Sequence, residues 1–152
     1  MKVLIAGAGI GGLTTALMLH ARGIGCIVVE QAAEVREVGV GINTLPHSIA
    51  ELAELDLLDR LDEAGLRTRE LRYLTMRGQE VWQELRGLHA GHDHPQFSIH
   101  RGRLQKLLYD AVIMARMQAA QLFPHLLTKH RQIAQLPCSE PRFIEPVQQV
   151  KF

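Results

Sequence analysis

Four glycines and one acid within the first thirty residues carry the clearest chemistry in this 152-residue chain. In Gly7-Ala8-Gly9-Ile10-Gly11-Gly12, Gly7 permits a tight turn out of a strand, Gly9 lets the backbone approach a pyrophosphate, and Gly12 lets a following helix pack close to a sheet. The start of that helix presents free N–H groups and a positive dipole end, so it binds an anion without a Lys or Arg in the loop. Glu30 lies 18 residues beyond Gly12, where a carboxylate accepts hydrogen bonds from the two hydroxyls of an adenosine ribose and repels a 2′-phosphate. Taken alone, Glu30 also reads as a solvated acid at a strand end. Together these residues point to a bound dinucleotide.

The elements that must position them follow the same order. Residues 2–6 are a short apolar run that suits a strand buried on both faces of a parallel sheet. Leu13, Ala16, Leu17, Leu19 and His20 recur at helical spacing until Gly23, which ends the helix. Residues 25–30 form a second apolar strand that closes on Glu30. A glycine turn by itself is weak evidence, but strand, turn, helix, strand and acid in this order are specific.

The fingerprint does not separate FAD from NAD, because both present an ADP half to the same turn. An NAD-type domain calls for a second crossover helix directly after the acid; here a glycine-punctuated loop runs from Gln31 to Leu45. Pro46 then opens a helix-periodic stretch through Leu52, Leu55 and Leu58. Residues 70–76 and 80–85 alternate with period two around Arg77-Gly78-Gln79, a β-hairpin signal. Tyr73 and Trp82 lie on that hairpin, as substrate-pocket candidates or as simple packing. Residues 97–108 read as a short strand leading into an amphipathic helix.

Composition bounds the rest. A formal charge of +1 with no basic block argues against nucleic acid. The apolar stretch at residues 3–19 is interrupted by glycines and is too short for a membrane span, and no small-residue cleavage site marks a signal peptide. Cys26 and Cys138 make neither a disulfide framework nor a zinc site, which fits a reducing, cytoplasmic setting. His89, His92, Asp93 and His94 match no metal-ligand spacing and read as a polar loop, so no metal is expected. Ser48 and Ser98 have no convergent His and acid, which argues against a hydrolase. Residues 114–152 change character: five basic residues stand against two acidic ones, with four of the six prolines. Prolines this close exclude a helix or central strand over residues 137–152, which read as extended or disordered.

The glycine fingerprint, Glu30, Arg36 with Gly39-Val40-Gly41-Ile42, the Pro46 helix and His100-Arg101-Gly102-Arg103-Leu104-Gln105 together resemble the N-terminal part of the single-component FAD-dependent aromatic hydroxylases. The likeness is strongest to the salicylate hydroxylase and phenazine-modifying branch and covers residues 1–112. It implies an α/β, Rossmann-like βαβ FAD-binding fold with a β-hairpin insertion. It also implies FAD as cofactor, NAD(P)H as transient co-substrate and an aromatic small molecule as substrate. By that resemblance Gly7, Gly9, Gly11 and Gly12 lie under the FAD pyrophosphate, and Glu30 binds the adenosine ribose. Arg36 lies near the ADP portion, while Gly41, Ile42 and Asn43 pass close to the flavin. Arg101 contacts FAD, and Gln105 lies near the ribityl chain. Read without the resemblance, Arg36 is also a surface ion-pair partner. Arg101 opens a helix, where the dipole disfavours a cation and favours a phosphate-facing role. Arg103 reads as solvated. No catalytic residue is assigned.

The resemblance ends after Val112, so the chain divides into a partial FAD-binding domain, residues 1–112, and a divergent tail, residues 113–152. The later strands and FAD-contacting segments of these hydroxylases are absent, which reads as a truncated chain, not active alone, with an exposed sheet edge that invites an oligomer or a missing C-terminal half. Three readings remain: the FAD-binding part of a monooxygenase, a non-catalytic dinucleotide-binding module, and an inactive fragment.

Overall fold

The structure, a computed structural model, describes residues 3–32, 39–122 and 148–151. Arg36 lies outside the described residues. The chain divides into two compact units, Met1–Val35 with Leu108–Phe152, and Arg36–Leu107.

In the first unit, β1 (Val3–Ala6) and β2 (Cys26–Glu30) run parallel, with Val3 opposite Cys26 and Ala6 opposite Val29. Parallel neighbours need a crossover, and α1 (Ile10–Ala21) supplies it. Its buried stripe is Leu13, Ala16 and Leu17, at helical spacing, and the sheet contributes Cys26 and Val28 to the same core. Burial holds the Cys26 thiol above its ordinary pKa. Gly23, at a φ of +68°, turns the chain after α1. A third strand, β8 (Gln148–Lys151), pairs antiparallel with β2 and forms the edge of the sheet order β1-β2-β8.

The expectation that β1 is buried on both faces is corrected. Leu4 is 68% exposed, and the burial of β1 alternates along the strand. A strand presents successive side chains to opposite faces, and α1 covers one of them.

The second unit is antiparallel. β3 (Gly41–Thr44), β7 (Gln96–His100) and β4 (Gly65–Thr68) form a sheet in the order β3-β7-β4. β3 lies within the stretch expected to be loop: Gly41 pairs with His100 and Thr44 with Phe97. A four-residue strand whose partner is more than fifty residues away has too little local signal to show in a window of sequence. The helical stretch after Pro46 is also two pieces, α2 (Pro46–Ala53) and α3 (Leu58–Ala64). Asp56 takes a left-handed φ of +55° between them. The break buries Leu57 beside Ile49, Leu52 and Leu61, a set that one continuous helix does not place on a single face.

Phe97 is fully buried and Ile99 nearly so, both on one face of β7. The hairpin forms as expected, from β5 (Glu70–Leu74) and β6 (Glu80–Leu85). Gly78 at a φ of +78° makes its turn, and the Thr75 hydroxyl accepts from the Arg77 and Gln79 amides. Tyr73 and Trp82 face each other as a tilted ring pair at 5.6 Å, and both remain largely exposed. After β7 the chain passes directly into α4 (Arg101–Leu122), which buries Leu104, Leu107, Leu108, Ala111 and Val112 and runs past the boundary expected at residue 112. No described helix is long and apolar enough to cross a membrane.

These environments set a stability contrast. Phe97→Ala, which empties a fully buried site, should cost about 3–5 kcal/mol in chemical denaturation. Trp82→Ala should cost about 1 kcal/mol, the scale of an aromatic pair. Equal losses would show that the hairpin ring is core.

Candidate functional site

The first unit gathers Gly7, Gly9, Gly11, Gly12 and Glu30 at the C-terminal ends of its two parallel strands, where open α/β sheets bind ligands. Gly7 has a φ of +100°, which an L side chain rarely adopts, and its N–H donates to Val29 O at 2.7 Å. Gly9 caps α1 in an extended conformation. No side chain caps this helix end, and its first turn holds no acid. The positive end of α1 is therefore uncompensated by any side chain of its own. A Cβ on Gly12 would stand 2.0 Å from Gly7 O, so only glycine lets the helix lie this close to the turn. Cβ atoms on Gly9 and Gly11 would meet nothing within 4 Å. The cradle is thus tight on its sheet side and open in front, the form that a pyrophosphate needs.

Glu30 is tied into the turn itself. Its Oε2 accepts from the Ala8 N–H at 2.7 Å and its Oε1 from the Ala32 N–H at 2.9 Å, so the carboxylate ties the end of β2 to the glycine turn. The Ala32 and Ala8 amides hold its pKa below the usual carboxylate range, against a smaller opposing effect of burial. Each oxygen retains a further lone pair, so an ionised Glu30 can accept from two hydroxyls while keeping both backbone bonds. The residues present therefore fit the ADP half of a dinucleotide.

The second unit holds Gly41, Ile42, Asn43, Arg101 and Gln105. Gly41, Ile42 and Asn43 form most of β3. Arg101 opens α4 exposed, its N–H donating to Val40 O at 3.0 Å, and Gln105 lies half-buried one turn later. Two interactions missed from sequence position this strand. His100 Nε2 donates to Gly39 O at 3.1 Å, a carbonyl that can only accept, which leaves Nδ1 buried with no partner among the described residues. Gly39 has a φ of +134°, and a Cβ there would stand 3.2 Å from Arg101 Cβ. Gly39 thus lets the chain pass against the root of Arg101. The other missed feature is a hydrogen-bonded row across the sheet: Ser98 Oγ donates to Asn43 Oδ1 at 2.7 Å and lies 2.7 Å from Thr68 Oγ1. Cross-strand pairing creates both, and no sequence motif carries it.

An open cleft of about 590 Å³ lies beside this row, lined by Gly41, Ile42, Asn43, Ser98 and Ile99 among others. Arg103, expected to be simply solvated, is exposed and lines it. Among the described residues no group of three or more His, Cys, Asp or Glu side chains is placed to hold a metal ion.

With that geometry in place, the chain can be set beside known proteins. The model of the FAD binding domain family matches residues 1–137. Over 111 residues the chain is 57% identical to phenazine 1,6-dicarboxylic acid hydroxylase PhzS of Lysobacter antibioticus, covering 72% of this chain and 27% of that protein. It is 33% identical over 119 residues to 3-hydroxybenzoate 6-hydroxylase 1 of Aquipseudomonas alcaligenes, covering 72% and 29%. Among solved structures, Klebsiella pneumoniae HpxO complexed with FAD and uric acid superposes with a TM-score of 0.60 at 29% identity, covering 72% of this chain and 28% of that one. The p-nitrophenol 4-monooxygenase PnpA of Pseudomonas putida DLL-E4 has a TM-score of 0.66 at 18% identity, covering 75% and 30%, and shares the fold. The chain spans under a third of the length of each of these proteins.

The cradle predicts that two neighbouring glycines behave differently. Gly12→Ala should lower stability by about 1–3 kcal/mol in urea melts, because its methyl group meets backbone. Gly9→Ala should leave the melt within about 0.5 kcal/mol, because its backbone suits alanine and its methyl group meets open space. Glu30 predicts a pH effect. Since its folded pKa is lowered, its contribution is complete above the unfolded value and is lost as the pH falls through the folded one. The stability advantage of wild type over Glu30→Gln should therefore hold above about pH 5 and shrink below about pH 4. A gap that does not change with pH would show that the carboxylate bonds are unimportant in solution.

Proposed function

This chain belongs to the FAD binding domain family, and from that premise we propose that it is the FAD-holding part of a monooxygenase that hydroxylates an aromatic small molecule using NAD(P)H and O2. The observation that carries the reading is the uncapped start of α1 behind a turn that only glycine can make, with an ionised Glu30 bonded to that same turn.

In this reading the N–H groups at the start of α1 and the dipole behind them attract the pyrophosphate of FAD. Gly9 and Gly11 keep its approach clear. Glu30 accepts from the hydroxyls of the adenosine ribose and, being charged, turns away a ribose that carries a 2′-phosphate. Arg101, exposed at the head of α4, offers a cation to the cofactor, with Gln105 one turn beyond. Arg36 is proposed near the ADP portion, and Gly41, Ile42 and Asn43 near the flavin. Bound FAD would supply the redox and oxygen-activating chemistry; the protein's part is to hold, orient and shield it. The hydroxylation, its aromatic substrate and the nicotinamide reductant rest on relatives of which this chain spans under a third.

The direct test is titration of the purified chain with FAD, followed by flavin fluorescence and thermal melting. Saturable binding that raises the melting temperature by mass action is expected. Gly9→Glu, which places a carboxylate in the cradle, should abolish it, and Glu30→Ala should weaken it by about tenfold or more. A folded wild-type chain that takes up no FAD would overturn the reading.

A further inference from the structure

The two edges of β2 are held by different parts of the chain. On one side β2 runs parallel to β1, joined to it through α1; on the other it pairs antiparallel with β8, which residues 123–147 connect to α4. β8 lies beyond residues 1–137, where the family model matches, so membership of the family does not account for it.

The backbone of β2 shows what β8 contributes. Along a strand, the N–H and C=O of one residue point to the same edge and those of the next residue to the other. Val3 N–H donates to Gly25 O and Gly7 N–H to Val29 O, so Gly25, Ile27 and Val29 spend their polar groups on β1. Cys26, Val28 and Glu30 direct theirs to the opposite edge. There the register sets Val28 against Val150 and Glu30 against Gln148. Those are the pairs that exchange both ladder bonds, while Gln149, against Val29, turns its own N–H and C=O outward. Val28 is 1% exposed, and polar backbone groups so deep in a fold need partners.

Glu30 stands where the two sets of bonds meet. Its carboxylate accepts from the Ala8 and Ala32 amides, and its main chain makes the last rung with β8. Strand ends open first, so the residue that closes the glycine turn is also the one that gains most from a second neighbour.

We propose that Gln148–Lys151 is a strap that closes the outer edge of β2. It completes the ladder at Val28 and Glu30 and so holds the Glu30 main chain in place behind its carboxylate. It also fills an edge that would otherwise pair with a second copy of this chain, as unpaired strand edges do. The role behind Glu30 rests on the function proposed above; the closure of the edge stands without it.

The test uses the full chain and two proline variants that touch opposite edges of β8. Val150→Pro removes the N–H that the register gives to Val28 O, where a proline breaks the ladder. Gln149→Pro removes an N–H that points outward, a position at which edge strands tolerate proline. In hydrogen exchange read by amide NMR, the Val28 and Glu30 amides should exchange about tenfold faster or more in Val150→Pro. Those of Ile27 and Val29, which face β1, should change by less than about twofold, and Gln149→Pro should match wild type at all four. Wild-type exchange in Val150→Pro, or acceleration spread evenly over the four amides, would overturn the strap. By sedimentation, Val150→Pro should form a larger species than wild type at the same concentration; an unchanged mass would overturn the guarding of the edge. ADP, titrated by calorimetry, should bind about threefold more weakly to Val150→Pro and equally to Gln149→Pro. If ADP binds wild type and Val150→Pro alike, the role behind Glu30 fails alone. If wild type binds no ADP, the cofactor reading fails, and the exchange pattern still decides the strap.

Discussion

The first unit depends on one close approach: the backbone of Gly12 lies so near the carbonyl of Gly7 that no side chain fits between them. That contact brings the start of α1 to the end of β1, and the rest of the cradle follows from it. With the helix seated there, no side chain caps its first amides, and Leu13, Ala16 and Leu17 are buried. A methyl group at Gly12 would lift the helix and disturb the core and the proposed anion site together. The packing constraint and the proposed functional one therefore fall on the same few atoms.

Glu30 adds an electrostatic tie to that steric one. A carboxylate at the end of a strand ordinarily gains little, but here two backbone amides stabilise its charge, and one of them belongs to the glycine turn. The acid thus orders the loop and retains acceptor capacity for a ligand. A neutral glutamine would fill the same space while losing much of the charge-assisted bonding. The requirement for an acid is consequently structural, whatever it adds in the proposed ligand role.

The second unit reaches local precision by other means. Its glycine at position 39 is required by backbone conformation and by the nearness of Arg101, and His100 holds the carbonyl of the same residue. These contacts deliver β3 into a sheet whose one face buries Phe97 and Ile99 and which also carries the hydrogen-bonded row of Asn43, Ser98 and Thr68. Alternation along β7 allows this division of labour: Phe97 and Ile99 point to one side, Ser98 to the other.

Local order was legible in the residues themselves. Gly7 to Gly12, the helical stripe of α1, the strand ending at Glu30, the turn around Gly78 and the passage from β7 into α4 each carry their signal within about a dozen residues, where propensity, periodicity and turn chemistry act. Arg36, by contrast, lies outside the described residues, and its place near a cofactor remains part of the proposal. What only the tertiary structure decided depends on partners distant in the chain. Gly41 to Thr44 became a strand because β7 offered it a register. The Pro46 stretch broke at Asp56 because Leu57 had a core to enter, and Leu4 stayed exposed because a strand has two faces and α1 covers one. The Ala8 bond to Glu30 and the row through Asn43, Ser98 and Thr68 belong to the same class. Sequence spacing sets which groups are available along one element, whereas pairing between elements sets which of their hydrogens and lone pairs are already spent.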